Sequence, residues 1–245
     1  MKASKKYGLI GQKLGHSFSK KYFTEKFEKD SIDSTYDNYE IESAEELNSF
    51  LSNSDVSGFN VTIPYKEDIL QFLDELDSVA QEIGAVNTLK KCDNKWKGYN
   101  TDAFGFKQMI KPFFKSHHER AIILGTGGAS KAIAYVLEEL GCEVIYISRN
   151  PEGEHEFSYE GMNKQMLDSC KIVVNCTPVG TFPEVENRPA IPYRYITELH
   201  LCIDLIYNPI KTAFLTECEL QGAWILNGKT MLEQQAEKSW EIWNA

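Results

Sequence analysis

The six cysteines contain no C-x-x-C pair and the five histidines no H-x-x-x-H or H-E-x-x-H spacing. The usual zinc-ligand patterns and a disulfide framework are therefore excluded. Cys176 and Cys202 instead adjoin or sit within the apolar runs KIVVNC and LHLCIDL, where reduced thiols pack as small hydrophobic groups. No apolar run approaches the length of a membrane span, and MKASKKYGLIG has too few apolar residues for a signal-peptide core. The expectation is a reduced cytoplasmic protein without a membrane partner. Basic residues are also short: 26 Lys and Arg against 36 Asp and Glu, a net charge of -10. That balance excludes a general nucleic-acid surface, which needs a basic stripe, and leaves anionic ligands to local donors. No repeat or low-complexity tract is visible. The 245 residues, 42% hydrophobic and 25% charged, are ordinary for a globular chain and allow one large domain or two smaller ones.

Short apolar strands alternate with helical patterns, which predicts α/β architecture with mainly parallel sheets. YGLIG (7–11), YDNYEI (36–41) and the segment beginning NVTI (60–63) read as strands. In the last, Val61 and Ile63 are expected on the core face and Asn60 and Thr62 on the other, with Pro64 ending the ladder. SAEE (43–46) matches a capping box with Ser43 as cap, opening a helix to about Leu51. Ile69, Leu73, Leu76, Val79, Ala80 and Ile83 recur at helical spacing and predict one helix. GAVNTL and KWKGYN flank a CDN turn as a hairpin-like pair. Downstream, AIILG (121–125), EVIYIS, KIVVNC, LCIDLI and AWIL are strands. Residues 129–140 form a helix ended by Gly141, and MLEQQAEKSWEIW is amphipathic helix. Residues 177–200, proline-rich and aperiodic, predict a long functional loop.

After AIILG comes GTGGAS (125–130) and then a helix. This strand, glycine turn and helix can present backbone N–H groups to a pyrophosphate, so a dinucleotide site is expected. An NAD enzyme usually carries Asp or Glu at the end of the next strand, but here Ser148, Arg149 and Asn150 stand there. Arg149 can pair with a 2′-phosphate bidentately, which favours NADP.

Upstream lies a supply of small polar groups at strand and helix ends: Ser17, Ser19, Asn60, Thr62, Asn87, Thr101 and Asp102, with Lys66 among them. Each has a plain alternative as a cap, a turn residue or a solvated lysine. Strand ends in α/β sheets converge on one crevice, however, and hydroxyl and amide groups gathered there suit a polyhydroxylated small molecule. A lysine and an aspartate in one crevice can supply acid–base chemistry.

The motifs GHSFS, NVTIPYKE, GAVNTL, GYNTD, GTGGAS, NCTPVG, DLIYNP and MLEQQAE occur in this order, and in them the chain resembles the shikimate dehydrogenase family over essentially its whole length. The resemblance implies NADPH-dependent reduction of 3-dehydroshikimate to shikimate, a step of aromatic amino-acid biosynthesis. It implies Lys66 and Asp102 as the catalytic pair. Ser17, Ser19, Asn60, Thr62, Asn87, Tyr207 and Gln235 would contact the substrate, and Gly125, Gly127, Gly128, Ala129, Ser148, Arg149 and Thr177 the cofactor. It also implies two α/β domains separated by a cleft. A substrate domain of residues 1–102 plus 228–245 would have a mixed, mainly parallel sheet, and residues 103–227 would form a Rossmann-like NADP-binding domain. The chain would cross the cleft twice, which allows hinge closure over the ligands. As an assembly, a monomer or a homodimer is expected.

Three departures stand out. Lys20 replaces the family's common proline after S-x-S, NPEGEHEF lacks a second basic residue after Arg149, and positions 148–162 are short, suggesting a trimmed element. Other readings therefore stay open: a quinate/shikimate dehydrogenase also using NAD, and a catalytically idle NADP-binding regulator. A folate or amino-acid dehydrogenase fits the serine and NVT motifs poorly.

Overall fold

The computed structural model describes residues 4–15 and 17–245, so His16 of the GHSFS motif lies outside the described residues. By contact the chain divides into two units, residues 1–101 with 236–245, and residues 102–235.

The first unit contains β1 (Lys5–Gly11), α1 (Phe18–Lys29), β2 (Ser34–Glu40), α2 (Glu46–Asn53), β3 (Gly58–Val61), β4 (Glu75–Leu76), α3 (Ser78–Ile83), β5 (Thr88–Cys92) and β6 (Lys95–Tyr99). Its sheet runs β2-β1-β3-β5-β6-β4. β2 and β3 pair parallel to β1, whereas β5 is antiparallel to both β3 and β6. The predicted CDN turn joins β5 to β6 with Asp93 and Asn94 both at positive φ, the pair of left-handed residues that a two-residue hairpin needs.

β3 is central and buried on both faces, so the expected alternation fails. Val61 is buried, but Ile63 lies beyond the strand and is 70% exposed. The predicted helix over Ile69–Ile83 is also broken. A 3-10 turn (Asp68–Phe72), β4 and α3 take its place. Asp74 and Asp77 donate their backbone N–H groups to the carbonyls of Trp96 and Gly98, and the Asp77 side chain caps α3. Here sheet pairing and a new cap override the helical period. At α2 the cap position is Glu45, without a side-chain cap bond, so the Ser43 capping box does not form.

The second unit holds α4 (Asp102–Ile110), β7 (Arg120–Leu124), α5 (Gly128–Glu139), β8 (Glu143–Ser148), β9 (Glu156–Ser158), α6 (Lys164–Ser169), β10 (Ile172–Asn175), β11 (Leu201–Asp204), α7 (Ala213–Leu220) and β12 (Trp224–Asn227). The last helix, α8 (Lys229–Asn244), begins in this unit and ends in the first. The sheet order β9-β8-β7-β10-β11-β12 is all parallel. It is the doubly wound 3-2-1-4-5-6 arrangement, whose winding reverses between β7 and β10. The trimmed region is a direct return: residues 149–155 alone join β8 to its parallel neighbour β9, where a helix usually crosses over. Ile122, Leu124, Ile147, Val173, Cys202, Phe214 and Leu215 are among the buried residues of this unit's core.

Candidate active site

In the first unit, Asn60 and Asn87 among the expected substrate residues share one buried hydrogen-bond network. Asn60, at 3% exposure, accepts at Oδ1 from the Tyr36 hydroxyl at 2.8 Å. Its Nδ2 donates to the Asn87 carbonyl at 3.3 Å, Thr88 Oγ1 at 3.1 Å and Ser239 Oγ at 2.9 Å. The Asn87 side chain faces Thr101, with Nδ2 donating to Oγ1 at 2.9 Å and Oδ1 accepting from the Thr101 backbone N–H at 2.6 Å. Ser239, Thr88 and Thr101 hydroxyls complete the cluster within 3.2 Å of one another. Tyr36 also hydrogen bonds with Ser19, and burial pushes the Tyr36 hydroxyl far above its usual pKa. Asn60 is thus tied into the interior rather than turned outward with Thr62. The sequence does not single out Tyr36 and Ser239, because their partners lie far along the chain; Thr88 stands inside GAVNTL, next to Asn87, but is passed over for that neighbour.

Ser17 caps α1 by accepting from the Lys20 N–H at 3.1 Å, a bond that a proline at 20 could not make. Thr62 is partly buried beyond the end of β3. There the Tyr65 N–H bonds back to the Thr62 carbonyl across the cis Ile63–Pro64 peptide, the form of a type VI turn. Tyr65 is buried and its hydroxyl donates to the Ile41 carbonyl at 2.5 Å. Next to it, the Lys66 carbonyl accepts from Val86 N–H at 2.8 Å, so Lys66 projects from a segment held on both sides. Ser17 and Thr62 thus serve a helix start and a turn, whereas Ser19 reaches the Asn60 cluster through Tyr36.

In the second unit Asp102 opens α4 and is 6% exposed. An acidic residue in a first turn is favoured by the helix dipole. One turn on, Gly105 lets α4 approach α8: a Cβ there would lie 2.5 Å from the Met231 carbonyl oxygen and 3.2 Å from Gln235 Cβ. Gln235, 5% exposed, is thereby packed beside the helix that Asp102 begins.

The glycine loop lies where the winding of the second sheet reverses. Gly125 has φ +99°, and Thr177 Cγ2 lies 3.1 Å from the position its Cβ would take. Gly127 is the N-cap of α5 with no side-chain bond to the helix, and a Cβ there would meet nothing within 4 Å. A twelve-residue helix thus offers first-turn N–H groups without a capping side chain, beside open space. Gly125, Gly127, Gly128, Ala129 and Thr177 fit a pyrophosphate on these grounds. Ser130 is buried, and its hydroxyl has no hydrogen-bond partner. Ser148 ends β8 with its hydroxyl bonded to Asn150 N and O, both at 3.2 Å. Arg149 is exposed just after it, near enough to Tyr159 to counter the upward pKa shift that burial gives that phenol. Tyr207, half-buried after β11, has its hydroxyl pKa raised by burial.

Residues 9–89 match the family model described as "Shikimate dehydrogenase substrate binding domain". Residues 82–183 match "D-isomer specific 2-hydroxyacid dehydrogenase, NAD binding domain". A shikimate dehydrogenase (NADP(+)) of Caldicellulosiruptor bescii is 37% identical over 98% of this chain and 89% of its own length. Among solved structures, a shikimate dehydrogenase in complex with NADP+ superposes with a TM-score of 0.88 at 32% identity, covering 98% of this chain and 90% of the other. The Thermus thermophilus shikimate 5-dehydrogenase, in complex with NADP(H) and shikimate, gives 0.86 at 29% identity over 98% and 93%.

Proposed function

Because the chain belongs to the shikimate dehydrogenase family, we propose that it reduces 3-dehydroshikimate to shikimate reversibly with NADPH, as a cytoplasmic enzyme acting as a monomer or homodimer. The observation that carries the reading is the uncapped α5 terminus and its glycine loop at the winding reversal, followed one strand later by Arg149. The NADP-binding domain is then residues 103–227, and residues 1–102 with 228–245 form the substrate domain. No described helix is long and apolar enough to cross a membrane. The six cysteines are free thiols, which accords with a reducing compartment.

Bound NADPH supplies the hydride. Negative charge then develops on the substrate carbonyl oxygen, where the Lys66 ammonium stabilises it and donates the proton. Asp102 orients the neighbouring substrate hydroxyl and takes part in the proton transfer. Ser17 and Ser19 receive the substrate carboxylate, while Thr62, Asn87, Tyr207 and Gln235 bond the ring hydroxyls. Asn60 serves the substrate by fixing Asn87. Ser148 and Arg149 take the adenosine 2′-phosphate.

A second reading, oxidation of quinate as well and use of NAD, draws on one observation. Arg149 is followed by Glu152, Glu154 and Glu156 rather than by a second base. Shikimate-dependent formation of NADPH, measured beside quinate and NAD+ in all four combinations, tests both. Activity with shikimate and NADP+ in clear excess over the other pairs is expected. No activity with any pair would instead favour an idle NADP-binding regulator.

A further inference from the structure

Asn175 and Asp204 are register partners at the ends of β10 and β11, and neither has any exposed surface. A buried carboxylate is costly unless its oxygens are bonded, and those of Asp204 are. Oδ1 accepts from the Ile206 N–H and from Asn175 Nδ2, both at 3.1 Å, and Oδ2 accepts from the Thr212 hydroxyl at 2.6 Å. Thr212 in turn caps α7 by accepting from the Leu215 N–H at 3.3 Å. The carboxylate therefore grips the chain where it leaves β11 and again where it enters α7. Tyr207 lies on the segment between those two grips.

The same carboxylate reaches a second loop through Asn175. Asn175 Oδ1 accepts from the Thr177 N–H at 3.1 Å and from the Thr177 hydroxyl at 2.6 Å, while Nδ2 bonds Asp204. Turning the Asn175 amide over would set its NH2 against the Thr177 N–H, so the bonds of Nδ2 to Asp204 and, at 3.4 Å, to the Val179 carbonyl select the orientation that Thr177 needs. One buried acid thus bears on the geometry of both loops.

We propose that Asp204 is a positioning residue for the reaction, setting Tyr207 toward the substrate through Ile206 and Thr212, and Thr177 toward the cofactor through Asn175. This rests on the roles given to Tyr207 and Thr177 above. A purely structural acid would lower the melting temperature and leave the kinetic constants of the folded enzyme alone. Asp204 changes both.

The test uses the full chain and the variants Asp204→Asn, Thr212→Val and Thr212→Ser, assayed well below each variant's melting temperature. Asp204→Asn is expected to raise KM for shikimate and for NADP+ by about tenfold each, the weight of roughly one well-placed hydrogen bond. Thr212→Val, which leaves the Asn175 branch intact, raises KM for shikimate and not for NADP+, and Thr212→Ser restores it. If Asp204→Asn does not fold, the contrast between the Val and Ser variants decides. A wild-type enzyme that is active, with variants that melt earlier at unchanged KM, overturns the positioning role alone. An inactive wild type overturns the functional reading and the positioning role with it.

Discussion

Replacing Asn60 with alanine separates a residue that meets the substrate from one that organises those that do. In the folded protein its amide bonds Tyr36, Asn87, Thr88 and Ser239 at 2.8 to 3.3 Å and is 3% exposed. Truncation leaves Thr88 and Ser239 still bonded to each other at 2.8 Å, so those hydroxyls lose little. The buried Tyr36 hydroxyl loses its bond to Asn60, at about 1–3 kcal/mol, and the lost bond to the Asn87 carbonyl adds about 1 kcal/mol. The sum is about 2–4 kcal/mol, which for a chain of this length lowers Tm by roughly 4–16 °C. Thr62→Ala, at a partly buried site outside that network, should cost under about 1 kcal/mol and act mainly on KM for shikimate. Thermal melts followed by circular dichroism, with KM measured on the folded variants, read both. If Asn60→Ala melted within a degree or two of wild type while KM rose, the amide would be a substrate contact and the network argument would fail.

Three further expectations follow from the same structure. Lys66→Met should lose mostly kcat, by about 10²- to 10⁴-fold, because its proton and charge matter as the ketone is reduced; near wild-type turnover would refute the assignment. Gly125→Ala forces a side chain onto φ +99° against Thr177, and NADP+ titration by protein fluorescence should show affinity weakened by about tenfold or more, from roughly 1–3 kcal/mol of strain. Burial raises the Asp204 carboxyl from 3.8 to about 6, so the folded state binds this proton more tightly than the unfolded one. The stability it contributes is complete below about pH 4 and is lost as pH rises through about 6, a change of about 3 kcal/mol. Urea midpoints of wild type relative to Asp204→Asn should therefore fall between pH 4 and pH 7, and a constant difference would contradict the shift.

The parts legible in the sequence are those whose cause is local. The β7 strand, its glycine loop and the α5 helix ending at Gly141, which has φ +86°, are written in consecutive residues, as is the Asp93–Asn94 turn. The family motifs, each a run of a few consecutive residues, likewise carry the fold. What local reading mistook depends on distant partners. The apolar spacing from Ile69 to Ile83 is helical, yet Trp96 and Gly98 accept its backbone N–H groups and divide it. Asn60 reads as the polar face of a half-buried strand. Every residue of β3 is buried, so both faces are interior, and Tyr36 and Ser239 arrive to satisfy the amide from 24 and 179 residues away. Asp204 stood in a recognised motif, but its role emerges only when β10 lies beside it.

The direct return from β8 to β9 bears on how the molecule folds. A parallel neighbour normally waits for a helix to form and dock before its strand can pair. Here residues 149–155 are the whole connection, and a crossover three times as long would add about 1 kcal/mol of closure entropy. This edge of the sheet should accordingly zip early, as local contacts do. In pulse-labelled hydrogen exchange, the Tyr146 amide, bonded to the His155 carbonyl at 2.9 Å, should gain protection before the amides that join β10 to β11.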